Sequence, residues 1–120
     1  MYYIAAILLF LIGVAHSYLG ERYILIRLFR RNDLPILFGG TEFTQNTLRF
    51  AWHLTTVTWF GFAFILVSLA SDRFSIETVA GIIGVIFSIH FVVSFLFSKG
   101  RHFSWLVFLI ISLAIFVGMR

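Results

Sequence analysis

Four apolar runs parted by one long and two short polar breaks outline the chain: about Met1–Leu19, Leu48–Ala70, Ile76–Phe97 and Phe103–Gly118. Each is near the roughly 17–25 residues that carry a helix across a bilayer, the last being the shortest. The connections "SDRFS" and "SKGR" are brief, and short connections join antiparallel neighbours. The pattern therefore predicts an all-α protein, an integral membrane four-helix up-down bundle forming one transmembrane domain over residues 1–120.

The long connection between the first two runs has a pattern of its own. In "ERYILIRLFRR" a helical projection puts Tyr23, Arg27, Arg30 and Arg31 on one side and Leu25, Ile26 and Phe29 on the other. Such a segment suits the headgroup surface, or extends the first helix beyond the membrane. "NDLPILFGG" breaks it with Pro35 and the Gly39-Gly40 pair. Thr41 reads as an N-cap with Glu42 in the first turn, so the second helix is expected to start several residues before its apolar run.

Composition supports this class: of 120 residues, 61% are hydrophobic and 12% charged, against near-even apolar content and about one-quarter charge in soluble domains. Cysteine is absent, which excludes disulfides, thiolate zinc sites, iron–sulfur clusters and covalent c-type haem. The N-terminus lacks a basic n-region and a small-residue cleavage site, so the first run reads as a retained helix.

Charge then orients the bundle. Arg22, Arg27, Arg30, Arg31, Arg49, Lys99 and Arg101 fall on one side, Arg73 and Arg120 on the other. The positive-inside rule makes the richer side cytoplasmic and both termini extracytoplasmic, in a multi-pass protein of the cell (inner) membrane. A basic face beside anionic lipids accounts for the high pI without nucleic acid.

Within the apolar runs, the polar residues point to a site. Around the second helix, Glu42, Asn46, Arg49 and Thr56 lie within about 60° of His53 at 100° per residue, a stripe expected to face the interior rather than lipid. His16, His53, His90 and His102 supply one histidine per helix, all toward the cytoplasmic side. Around the third helix, Ser94, Ser98 and Arg101 share the His90 side, opposite Gly81, Gly84 and Ser88, which read as a packing face. Gly13 and Gly20 flank His16 and offer room for a neighbouring helix or a flat cofactor.

The expected site is thus an intramembrane histidine cluster, with His53 and His90 deepest, His16 joining them and His102 at the boundary. Glu21, Arg49, Thr56 and Ser94 support it. Neutral imidazoles suit a transition metal ion (iron, copper or zinc), and facing histidines suit haem b held by His53 and His90. Redox chemistry is the leading reading. A proton-coupled transporter using the histidines as titratable groups, or an accessory subunit of a membrane complex, are the alternatives. Four thin helices bury little, so a homo-oligomer or a partner membrane protein is expected. No serine–histidine–aspartate set, HExxH motif, pair of embedded carboxylates or P-loop is present, so hydrolytic and phosphoryl chemistry are expected to lack their parts.

Overall fold

A computed structural model describes all residues, 1–120, and its regular elements are all helices, with turns and one isolated Leu37–Gly40 bridge in the long connection. The helices are α1 (Tyr2–Leu28), α2 (Glu42–Ala70), α3 (Ile76–Ser98) and α4 (Ser104–Gly118). The first three are long and apolar enough to cross a membrane; α4 is apolar but has only 15 residues.

The helix ends follow local chemistry. Ser75 caps α3, its hydroxyl accepting from the Thr78 N–H at 3.0 Å. At the other end Lys99 and Gly100 turn left-handed (φ 53° and 74°), and the Gly100 N–H returns to the Phe95 carbonyl at 3.0 Å. That is the usual way a helix closes its last carbonyls. The basic segment after residue 19 continues α1, and so takes the second of its two expected forms. Helix α2 starts at Glu42, directly after Thr41, although the Thr41 hydroxyl makes no capping bond.

Each helix packs on its neighbour in sequence, α1 on α2, α2 on α3 and α3 on α4, and on no other. The dimensions agree: the Cα trace spans 52 × 33 × 14 Å. Four helices in a line, at 8–10 Å spacing and with a Cα radius near 2.3 Å, would span about 29–35 Å. The molecule is therefore an open row, with α1 and α4 at its edges, and only 15 of 120 residues are buried.

Small residues hold the seams of this row together. In α1–α2, Gly13 receives the Phe60 ring and Gly20 the Trp52 indole. In α2–α3, Gly61 receives Ile86. In α3–α4, Gly84 receives Phe116, while the Ser88 and Ser112 hydroxyls lie 2.7 Å apart and 3.0 and 3.1 Å from the Gly84 carbonyl, so that one donates to the carbonyl and the other to its partner hydroxyl. These match the packing face expected for Gly84 and Ser88. Small residues at such seams let the helix backbones approach closely.

Candidate functional site

The α1–α2 seam carries the chain's densest polar contacts. Two pairs four residues apart on each helix, Ser17 with His53 and Glu21 with Arg49, meet across it, as antiparallel packing at helical spacing requires. Glu21 lies in a π-helical turn, Gly20–Leu25, within α1. Such turns form where something intrudes on the backbone ladder. Here Trp52 seats on Gly20 and its indole N–H donates to the His16 carbonyl at 3.0 Å.

Arg49 binds Glu21 in a fork, Nη2 to Oε1 at 2.8 Å and Nε to Oε2 at 3.1 Å. The guanidinium also lies 4.9 Å over the Phe29 ring. The same Glu21 Oε2 lies 3.2 Å from His53 Nε2, and His53 Nδ1 lies 2.6 Å from Ser17 Oγ. Side chains of Glu21, Arg49 and His53 are about 30% exposed (29, 31 and 29%), so the network is partly sheltered but reachable. A carboxylate held bidentately by an arginine only accepts hydrogen bonds. Nε2 of a neutral His53 therefore carries the proton, and Nδ1 is left as acceptor for the Ser17 hydroxyl.

The network borders a groove of about 480 Å³ lined by Val14, Ser17, Tyr18, Glu21, His53, Thr56 and Phe60. Thr56 is buried, with its hydroxyl donating over a long 3.4 Å to the Gly13 carbonyl.

Of the expected site residues, Glu21, Arg49, His53 and Thr56 meet here; the other histidines do not. His16 lies on the opposite side of the same seam, stacked on Trp52 at 4.5 Å and against Trp59 at 4.9 Å. Its Nε2 is buried without a hydrogen-bond partner. His90 is buried in the α2–α3 seam, its Nε2 near the Leu54 carbonyl (3.3 Å) and Thr58 hydroxyl (3.4 Å). His102 packs on Phe43 and Phe50 at the start of α4 and bonds Ser104 at 2.8 Å. Ser94 is fully buried and pairs with Ser104, so it lines no pocket.

The expected four-histidine cluster is therefore corrected. No three of the His, Asp and Glu side chains are disposed to hold one ion, and the paired axial ligation of haem by His53 and His90 has α2 standing between them. The cause is the open row, which gives each seam its own polar groups and no common centre. At Gly13 and Gly20 the neighbouring helix takes the room, the first of its two expected occupants, through Phe60 and Trp52, and a groove of about 390 Å³ remains beside His16, Trp52 and Trp59.

Sequence reasoning missed Ser17. Its signal was the spacing: Ser17 and Glu21 repeat the four-residue step of Arg49 and His53. Compared with family models, curated proteins and solved structures, the chain matches none.

Proposed function

We propose that this is an integral membrane protein whose α1–α2 pair holds an acid–base site at one leaflet. In this site His53 accepts and returns protons, Glu21 fixes its tautomer and Arg49 anchors Glu21. The observation that carries the reading is one imidazole joined at both ring nitrogens, to a hydroxyl and to an arginine-held carboxylate. That is the arrangement of a positioned general base: a proton donor, a base and a third group orienting the base.

The membrane setting rests on three long apolar helices and on a row that leaves large residues such as Leu11, Phe64, Leu96 and Ile110 exposed on its surface. In hydrocarbon such a surface carries no penalty. Within the bilayer the helices form an up-down array with both termini extracytoplasmic, and the arginine-rich side faces the cytoplasm and anionic lipid. Self-association fits a row that covers neither of its faces. Single cysteines placed at Gly39 and Ser71 are expected to label from opposite sides, Ser71 from outside intact cells. Outside labelling of Gly39 would reverse the arrangement.

Beyond Thr56 the α1–α2 seam continues through Gly13, Phe60, Phe10, Ala6 and Ala63. None of these side chains can pass a proton onward. This favours chemistry at one leaflet over the proton-coupled carriage weighed from the sequence, and the separation of the histidines into different seams weighs against redox chemistry at a shared metal.

The test is the nitrogen NMR spectrum of ring-labelled histidine in vesicles. His53 is expected with Nε2 protonated and Nδ1 bare. Ser17→Ala should shift Nδ1 alone, and Glu21→Gln should mix the two tautomers. A His53 ring protonated at Nδ1, indifferent to Glu21→Gln, overturns the reading.

A further inference from the structure

We infer that Ser17 is a nucleophile and that the site cleaves acyl esters held in the bilayer. The inference rests on the acid–base reading above and adds to it a reaction and a substrate class. Three observations carry it.

The first is contact. Ser17 Oγ is 2.6 Å from His53 Nδ1, and His53 Nε2 is 3.2 Å from Glu21, so hydroxyl, imidazole and carboxylate stand in series. A serine hydroxyl is a weak nucleophile until an adjacent base takes its proton, and the base works best when a third group fixes it. Both conditions are met, with Arg49 holding that third group in turn. Residues from two helices make this set, which is why no linear motif announces it.

The second is access. The groove beside Ser17 joins apolar walls, Val14 and Phe60, to the hydroxyls of Tyr18 and Thr56. An acyl chain can lie against the former, and the Tyr18 hydroxyl, which accepts from Arg22 and keeps its own proton free, is the donor available to the oxygen of a tetrahedral intermediate, the Thr56 proton being held by the Gly13 carbonyl.

The third is depth. His53 stands 17 residues before the Ala70 end of α2, about 26 Å at 1.5 Å per residue. In a hydrocarbon layer about 30 Å thick it lies just inside the far boundary, with Arg49 and Glu21 at the boundary itself. Lipid ester carbonyls occupy that level, between headgroup and chain.

The steps balance without a further reactant. Ser17 Oγ bonds to the ester carbonyl carbon as its proton passes to His53 Nδ1. The carbon–oxygen bond to the alcohol breaks, and the departing alkoxide takes the proton from the imidazolium. Water, giving a proton to Nδ1, then attacks the acyl-serine; the bond to Oγ breaks and Ser17 recovers its proton. The products are one carboxylic acid and one alcohol.

The experiment uses the full chain in phosphatidylcholine vesicles with a fluorophosphonate probe, followed by mass spectrometry of the labelled peptide. Ser17 should carry the label, and His53→Ala should slow labelling by about 10²-fold or more, as loss of the base does in serine hydrolases. Ser88→Ala, a hydroxyl in the α3–α4 seam, should label like the native chain. Should Ser17→Ala fail to fold, the position of the label on the native chain decides. Labelling elsewhere, no labelling, or labelling unaffected by His53→Ala overturns the inference. A fixed His53 tautomer with no label at Ser17 would leave the acid–base reading standing and remove the nucleophile. Release of acid from a long-chain fluorescent glycerolipid in the vesicles, exceeding that from a soluble butyrate ester, is expected; the reverse order would overturn the bilayer substrate.

Discussion

Arg49→Ala is expected to be among the most destabilising single substitutions in this chain, by about 2–3 kcal/mol. Removing one partner of a fully buried ion pair costs roughly 3–5 kcal/mol, because the other charge is left without compensation. Here both side chains are about 30% exposed (31 and 29%), and water reaching Glu21 reduces that figure. The loss should be larger than Arg49 alone explains, since Glu21 also sets the orientation of His53. A double-mutant cycle separates the terms. Glu21→Gln with Arg49→Gln leaves no unpaired charge and should be less destabilised than Arg49→Ala, while losing the His53 tautomer. Unfolding in mixed detergent, followed by circular dichroism, gives the comparison. Equal stability of Arg49→Ala and the native chain would mean that the pair contributes nothing to the fold.

Gly20→Ala is the second large effect, arising from shape alone. A Cβ at this position would overlap the Trp52 indole ring, a rigid group already held by its hydrogen bond to the His16 carbonyl. Either Trp52 leaves its seat or α1 and α2 move apart, and overpacking of this kind costs about 1–3 kcal/mol. Gly20 lies between Ser17 and Glu21 in sequence, so parting the helices there also lengthens the contacts to His53 and Arg49. The variant should lose both stability and the His53 tautomer. Gly118→Ala, where a Cβ meets nothing within 4 Å, is the control and should be neutral or slightly stabilised. Adding Trp52→Phe to Gly20→Ala should restore part of the loss, because the smaller ring vacates the contested space. Native-like unfolding of Gly20→Ala, measured as above, would show that Trp52 yields freely.

The sequence by itself determined the class of element. Apolar length marked four helices; α3 and α4 begin and end within a residue of the runs that predicted them. The turn residues Pro35, Gly39 and Gly40 marked the break before α2. Periodicity also put Arg49, His53 and Thr56 on one side of α2, because 100° per residue is a property of the helix alone. Which neighbour that side meets is not such a property. In a closed bundle, histidines at similar depth on four inward faces would converge. In this row His53 looks to α1, His90 to α2 and His102 to the start of α2, while His16 stacks on indoles. The same polar stripe is divided too: Glu42 pairs with Lys99 at the end of α3, and Arg49 and His53 turn to α1. Only the tertiary structure set Ser17 against His53 and Glu21 beneath Arg49. Contacts between helices depend on which small residues admit which rings, and Gly20 with Trp52 and Gly13 with Phe60 fix that register through space.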